Sequence, residues 1–247
     1  MGKQLDRKRS RGSRVNQSAA EIIEFKGSKF QHDRHPPPIK ALNPTQADYL
    51  AALRTSQQIV VLGPAGAGKT WIAATYAADL FRQGRIEKII LTRPNVPCGR
   101  SLGYFPGTMQ EKFAPWAVPI VEAIKERIGE GAFDIAAKRG DIEMVPFEVM
   151  RGRTFKNAFV LLDEAQNTSV MEIKTFLTRI GEDCISVVNG DVNQSDIRET
   201  SGLRRMIELI RAHRLPVPVI EFTVDDIVRS GLCAMWVRAF EGDAARF

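Results

Sequence analysis

Short apolar runs alternate with amphipathic segments along most of this chain. Runs rich in Val, Ile, Leu and Phe predict strands at about residues 57–63, 87–94, 141–147, 157–165, 183–191 and 217–223. Apolar residues at helical spacing predict helices at about residues 67–84, 113–131, 169–180, 201–214 and 224–240. We expect the leucine- and isoleucine-rich face of residues 205–210 to lie in the core.

The strand runs are almost continuously apolar, which is typical of strands buried on both faces. Their alternation with helices predicts a parallel sheet flanked by helices on both sides, a three-layer α/β fold. Three prolines at residues 36–38 favour an extended linker, and Asn43 is an expected helix N-cap followed by Pro44. We therefore predict a leader at residues 1–38 and one domain at residues 39–247.

The leader carries the basic character of the chain. Residues 1–40 contain ten Lys and Arg against four Asp and Glu, and this excess equals the net charge of +6 of the whole chain. A segment this polar and charged is predicted to be flexible. It is either an arm that attracts nucleic-acid phosphates or a tail that only aids solubility, and the sequence leaves both open.

The apolar runs are too short for a membrane span, which needs about 20 residues, and the basic start has no apolar region of a secretory signal behind it. The three cysteines are far apart and odd in number, which favours a reducing compartment over a disulfide framework. The three histidines form no metal-ligand spacing with them. We expect a cytoplasmic protein without membrane contact.

Residues 63–70 read GPAGAGKT and match the phosphate-binding pattern G-x-x-x-x-G-K-[ST] between a predicted strand and a predicted helix. Glycines allow backbone N–H groups to point at phosphate oxygens, and the helix N-terminus adds its dipole. Lys69 is expected to reach the β- and γ-phosphates of ATP, and the Thr70 hydroxyl to ligate Mg²⁺. The alternative is a plain glycine turn. The predicted ATP-contacting residues are Gly63, Pro64, Ala65, Gly66, Ala67, Gly68, Lys69, Thr70 and Trp71.

Two carboxylates follow the apolar strand NAFVLL, at the sheet edge where α/β folds bind ligands. We expect Asp163 to hold Mg²⁺ through water, and Glu164 to orient and deprotonate the attacking water. A second apolar strand, in VVNGDVNQ, delivers Asn189, Asp191 and Gln194 to the same edge. Gln194 is either a γ-phosphate sensor or water-positioning residue, or simply a polar residue of the turn.

Six motifs, in chain order, resemble those of the PhoH family of P-loop ATPases: GPAGAGKT, LTRPNV, SLGYFPGTMQEKFAPW, MRGRTFKNAFVLLDEAQNT, FLTRIG and NGDVNQSD. The resemblance runs from about residue 43 to residue 229. It implies a cytoplasmic ATPase with a RecA-like core similar to the first motor domain of superfamily-one helicases. It also implies that Gln46 reads adenine, although a glutamine on a helix surface is the alternative.

The resemblance also bears on assembly. A superfamily-one motor places ATP between two RecA-like domains, one of which donates an arginine, whereas this chain has one such domain. Arg229 matches the position of that arginine in the family, so we predict an arginine finger delivered in trans by a neighbouring subunit. A head-to-tail ring, for example a hexamer, follows from such an interface. The alternative is an ordinary surface arginine.

Three arginines near the sheet edge either meet single-stranded RNA or DNA, clamp ATP phosphates or pair with nearby acids: they are Arg93, Arg151 and Arg153. Tyr104, Phe105 and Trp116 either stack on bases or pack in the interior, and interior packing is favoured.

These patterns leave three functions to compare. The first is a Mg²⁺-dependent ATPase that acts on single-stranded nucleic acid as a ring, in the manner of a helicase. The second is an ATP-driven regulatory switch whose target is another protein. The third, a nucleotide kinase, is disfavoured because no arginine-rich lid segment is apparent and the Asp163–Glu164 pair suits water attack. The basic leader favours the first function over the second.

Overall fold

The computed structural model describes residues 36–94, 109–195, 197, 200–229 and 231–244. Its sheet has six strands, all paired in parallel, in the order β3-β2-β4-β5-β1-β6. The strands are β1 (Gln58–Leu62), β2 (Lys88–Thr92), β3 (Ile142–Met144), β4 (Ala158–Leu162), β5 (Ile185–Gly190) and β6 (Val219–Glu221). The predicted parallel sheet is therefore confirmed.

Helices cover both faces of this sheet. They are α1 (Pro44–Thr55), α2 (Lys69–Arg82), α3 (Met109–Ile128), α4 (Glu130–Arg139), α5 (Phe147–Met150), α6 (Val170–Leu177), α7 (Gly202–His213) and α8 (Gly231–Ala244). Single 3₁₀ turns lie at Ala165–Asn167 and Val224–Asp226.

The core is divided into two clusters by the sheet. The α2-side core combines α1 to α4 with one face of the strands and includes Tyr49, Ile72, Ile124, Phe159 and Val187. The α7-side core combines α5 to α7 with the opposite face and includes Phe176, Met206, Ile207, Ile210 and Val188. The three-layer α/β fold is confirmed, as is the burial of the apolar face predicted at residues 205–210.

Capping residues set the beginning of two helices. Asn43 caps α1, because its Oδ1 accepts a hydrogen bond from the backbone N of Gln46 at 2.8 Å, and Pro44 occupies the first helical position, as predicted. Ser169 and Glu172 form a reciprocal capping box at the start of α6. These local contacts fix the residue at which each helix begins.

Two predicted helices differ in the structure. The helix predicted at residues 113–131 covers most of α3 and only the start of a separate helix, α4, because α3 ends before Gly129, where φ is +87°. The helix predicted at residues 224–240 was placed too early. Residues 224–226 form a 3₁₀ turn closed by a capping box between Thr223 and Asp226, and α8 begins only at Gly231.

The division of the chain stays a prediction. Residues Pro37–Phe247 form one compact unit, and most of the predicted leader lies outside the described residues. Among the helices of the described part, none is long and apolar enough to cross a membrane.

Candidate active site

The GPAGAGKT segment forms the turn from β1 into α2 that a phosphate-binding loop requires. Gly63, Gly66 and Gly68 have φ values of +132°, +91° and +88°, which residues with a side chain rarely adopt. A Cβ atom on Gly63 would also collide with the backbone carbonyl oxygen of Phe222, just after β6. The glycines are thus needed both for the turn and for its close contact with the neighbouring strand.

Lys69 lies at the first position of α2 and folds back over the loop. Its Nζ donates hydrogen bonds to the carbonyl oxygens of Gly63 at 2.6 Å and Pro64 at 2.8 Å. Burial lowers the pKa of Lys69, and the negative charges of Asp163, Asp191 and Glu164 oppose that shift. The ammonium group is therefore held inside the loop by two carbonyl oxygens.

The phosphate-binding loop meets the carboxylates of β4 through one hydrogen bond. The Thr70 hydroxyl donates to Oδ1 of Asp163 at 2.9 Å. Burial raises the pKa of Asp163 and the neighbouring Glu164 adds to the rise, whereas the Thr70 hydrogen bond and the charges of Arg93 and Lys69 oppose it. A hydroxyl and a carboxylate at this distance fit the oxygen ligands that Mg²⁺ prefers. Within the described ranges no group of three or more His, Cys, Asp or Glu could hold a metal ion.

Glu164 has an unusual backbone conformation, with a φ of +54° in the left-handed region. Its side chain contacts a residue that the motifs did not single out. Gln166, which is buried, donates from Nε2 to Oε2 of Glu164 at 2.6 Å and accepts at Oε1 from the backbone N of Asp191 at 3.0 Å. Gln166 thus links the ends of β4 and β5. Its position two residues after Glu164 in DEAQN was the available signal.

The turn after β5 brings Asp191 and Gln194 to the predicted edge. Asp191 is buried and its Oδ1 accepts from the backbone N of Asn193 at 3.0 Å. Gln194 donates from its backbone N to the Asp191 carbonyl oxygen at 3.1 Å, and its side chain is exposed. Its role as a sensor or water-positioning residue stays a prediction.

The Gln46 side chain is hydrogen-bonded to the phosphate-binding loop. It is buried, its Nε2 donates to the Ala67 carbonyl oxygen at 3.1 Å, and its Oε1 accepts from the Leu42 backbone N at 2.9 Å. Both amide atoms therefore have protein partners, and adenine recognition stays a prediction. Trp71, on the first turn of α2, is 46% exposed.

Arg229 lies against the phosphate-binding loop of its own chain. The backbone N of Val228 donates to the Gly66 carbonyl oxygen at 3.1 Å. A Cβ atom on Gly66 would stand 3.1 Å from Cδ of Arg229, so the arginine stem crosses the loop where a glycine leaves room. Delivery of Arg229 to a neighbouring subunit stays a prediction.

The three edge arginines have different surroundings. The guanidinium of Arg93 lies 5.0 Å from the ring centroid of Trp116, which is 48% exposed, so the favoured interior packing of Trp116 is wrong. Arg153 pairs with Glu143 at 2.8 Å, which was one of its predicted alternatives. Arg151 is exposed and makes no ion pair in the part of the chain that the structure describes. Tyr104 and Phe105 lie outside the described residues.

The family model and the relatives that match this chain indicate the same family. A family model described as PhoH-like protein matches residues 38–241. Protein PhoH of Escherichia coli (strain K12) is 37% identical over 240 residues, which cover 94% of this chain and 68% of that protein. The PhoH-like protein of Bacillus subtilis (strain 168) is 39% identical over 198 residues, which cover 79% of this chain and 62% of that protein. This chain thus spans about two thirds of the length of these relatives.

Solved structures resemble the chain more remotely. A Pif1 helicase from Candida albicans aligns with a TM-score of 0.38 and 14% identity, covering 75% of this chain and 40% of the helicase. A large terminase from the thermophilic bacteriophage D6E aligns with a TM-score of 0.44 and 10% identity, covering 78% of this chain and 48% of the terminase.

Proposed function

The chain belongs to the PhoH-like protein family, and from that membership we propose that it binds ATP with Mg²⁺ and hydrolyses it. The observation that carries the proposal is the 2.9 Å hydrogen bond between Thr70 and Asp163. It joins the loop that would bind phosphates to the carboxylate that would help to hold the metal, and the two residues lie 93 positions apart in sequence.

The proposed roles follow from the contacts of each group. Backbone N–H groups of the loop and Lys69 bind the β- and γ-phosphates, which would replace the carbonyl oxygens as partners of Nζ. The Thr70 hydroxyl directly, and Asp163 through water, would hold Mg²⁺, which would neutralise charge on the phosphate oxygens. Glu164 accepts a proton from the water that attacks the γ-phosphorus, and the bond from that phosphorus to the β–γ bridging oxygen breaks. Gln166 keeps the Glu164 carboxylate oriented during this step.

For Arg229 we propose action on the nucleotide of its own chain. Its stem crosses Gly66, and its guanidinium is exposed and has no ion pair among the residues that the structure describes. A free positive charge at this place could neutralise the transferred phosphoryl group. Delivery in trans within a ring is the alternative, and it requires a second chain.

Trapping of ATP tests the hydrolytic proposal. Glu164→Gln removes the proton acceptor but keeps a side chain of the same size, so we expect ATP binding within about threefold of the wild type and a loss of at least about 100-fold in phosphate release. Glu182→Gln is the matched control, because Glu182 is an exposed carboxylate whose partner is Lys156. If Glu164→Gln released phosphate at the wild-type rate, another residue would have to be the proton acceptor.

The proposed target of this ATPase is single-stranded RNA or DNA. Two features support it: the exposed Trp116 with Arg93 beside it, close to the carboxylates, and the basic residues of the leader. An exposed aromatic side chain beside an arginine suits base stacking and phosphate contact. A cytoplasmic location belongs to the same proposal, and assembly as a ring belongs to the alternative in which Arg229 acts in trans.

A specific observation favours the second candidate, a switch that acts on a protein. The α8 helix exposes four large apolar side chains at helical spacing, and between 51% and 71% of each is accessible: they are Leu232, Met235, Trp236 and Phe240. An apolar helix face of this kind suits a protein partner better than a polynucleotide.

An ATPase assay with a panel of polynucleotides separates the two candidates. If the target is nucleic acid, single-stranded RNA or DNA should stimulate phosphate release, and added salt should reduce the stimulation steeply. Deletion of residues 1–36 should then weaken polynucleotide affinity and spare the basal rate. Absence of stimulation by any polynucleotide, with the leader intact, would favour the protein target.

A further inference from the structure

The β5 strand carries a buried polar side chain that the proposed mechanism does not use. Asn189 is 0% exposed, and neither Oδ1 nor Nδ2 has a hydrogen-bond partner within the described residues. A buried amide without partners opposes folding, so such groups are rare in native proteins. They are commonly explained by an ordered water or a ligand.

Asn189 faces the side of the sheet on which the phosphate-binding loop leads into α2. Along β5, Val187 packs in the α2-side core and Val188 in the α7-side core. Because side chains of a strand alternate between the two faces, Asn189 points to the α2 side.

Its position along the strand is level with the carboxylates. The β5–β1 register pairs Asn189 with Val61, two residues before Gly63. The β5–β4 register, continued by one residue, brings Asp163 level with Asn189. Since β5 lies between β1 and β4, Asn189 stands at the base of the gap between the loop and the carboxylates. In a P-loop enzyme the γ-phosphate must occupy that gap, between the phosphate cradle and the group that activates water.

A second unpartnered group lies in the same core. The Tyr49 hydroxyl is buried without a hydrogen-bond partner in the described part of the chain. Burial raises the pKa of Tyr49 well above its ordinary value, and the charge of Asp163 adds to the rise. By contrast, the unpartnered hydroxyls of Thr92 and Ser186 are on strand positions that face the α7-side core. The unpaired polar atoms on the α2 side therefore lie near the carboxylate of Asp163.

We propose that Asn189 is a binding residue for the terminal phosphate of ATP: its Nδ2 donates to an oxygen of the γ-phosphate and its Oδ1 accepts from the water beside it. The inference rests on the proposed function, since it needs a triphosphate in the loop. It explains why neither amide atom has a partner among the described residues. The competing explanation is an ordered water that bridges Asn189 and Tyr49 whether or not nucleotide is bound.

The test compares the full-length chain with three variants. Asn189→Val removes the amide and keeps a residue suited to a strand, and Asn189→Thr retains a donor and an acceptor. Ser186→Ala is the matched control, because Ser186 is an equally buried polar residue of β5 on the opposite face, and its hydroxyl also has no partner among the described residues. Two quantities are measured: the melting temperature without nucleotide, and the affinities for Mg²⁺ with a non-hydrolysable ATP analogue or with ADP.

We expect Asn189→Val to melt a few degrees higher than the wild type without nucleotide, because an unpaired amide is removed. It should bind the ATP analogue about tenfold more weakly, which corresponds to one lost hydrogen bond, and ADP within about twofold. Asn189→Thr should bind the analogue with an affinity close to that of the wild type. Ser186→Ala should bind both nucleotides as the wild type does.

Equal affinity of Asn189→Val and wild type for the ATP analogue would overturn the inference and favour the bridging water. An equal loss of affinity for the analogue and for ADP would also overturn it. If Asn189→Val does not fold, Asn189→Ala carries the same expectation for the two nucleotides. Failure of the wild type itself to bind either nucleotide would instead refute the proposed function, and the inference with it.

Discussion

At the residue scale, the candidate site depends on side chains that hold one another in place. Thr70 donates to Asp163, and Gln166 fixes both the Glu164 carboxylate and the Asp191 backbone. The motifs predicted the residues that would bind phosphate and metal, because such binding requires particular residue types at particular spacings. They did not predict the role of Gln166, because that role depends on β5 lying next to β4. The order of strands in the sheet cannot be read from a single sequence.

Gln166 gives a prediction at this scale. Gln166→Leu leaves Glu164 without its hydrogen bond, so the carboxylate loses its orientation toward the attacking water. We expect kcat to fall by about 10- to 100-fold while the affinity for ATP changes by less than about threefold. Steady-state phosphate release and equilibrium ATP binding measure the two quantities.

The control for this prediction is Gln83→Leu, the same change at an exposed position beyond α2. Melting temperatures of both variants show whether the buried substitution has also altered stability. An unchanged kcat in well-folded Gln166→Leu would remove Gln166 from the account.

At the element scale, each predicted strand is found, because a short, continuous apolar run leaves few alternatives in a parallel sheet. The helices were predicted less well. The sequence indicated one helix across Gly129, and the structure has two. The segment before α8 is a 3₁₀ turn followed by a hydrogen bond from the backbone N of Val228 to the Gly66 carbonyl oxygen. That contact joins distant parts of the chain, so local patterns do not reveal it.

The glycines of the phosphate-binding loop give a prediction at the element scale. Gly63→Ala adds a methyl group that collides with the Phe222 carbonyl oxygen at a backbone angle suited only to glycine. We expect the free energy of unfolding, measured by urea titration without nucleotide, to fall by about 3 kcal/mol or more.

Gly84→Ala is the matched control for this prediction. Gly84 also has a positive φ, +67°, but a Cβ atom there meets nothing within 4 Å. It should cost about 1–2 kcal/mol, the strain of the left-handed conformation alone. Equal losses in the two variants would mean that the contact with Phe222 is not what demands glycine at position 63.

At the scale of the whole molecule, the sheet places the candidate site residues at one edge, since the carboxyl ends of β1, β4 and β5 are neighbours. That placement was predictable from the parallel arrangement. The contact of the Arg229 stem with Gly66 was not, because it joins parts of the chain that are far apart in sequence. Delivery of Arg229 to a neighbouring subunit stays a prediction.

Subunit mixing tests the role of Arg229. Arg229→Ala chains lack the arginine and Lys69→Ala chains lack the phosphate-binding lysine. If Arg229 acts on its own nucleotide, a mixture of the two variants should release phosphate no faster than the two measured separately. A mixture of wild-type and Lys69→Ala chains is the control, and light scattering with and without ATP measures the assembly. Clear recovery of activity in the first mixture would contradict this expectation and favour a finger delivered across a ring interface.

The central claim is that the phosphate-binding loop, at the carboxyl edge of this sheet, binds the triphosphate of ATP through Lys69. Equilibrium binding of ATP to the purified full-length chain with Mg²⁺ tests it most directly, with Lys156→Ala as a control at an exposed lysine whose partner is Glu182. We predict that the wild type and Lys156→Ala bind ATP with dissociation constants of about 1 μM to 1 mM, and that Lys69→Ala binds at least about 100-fold more weakly. This claim would be contradicted if the wild type bound no ATP, or if Lys69→Ala bound ATP as tightly as the wild type.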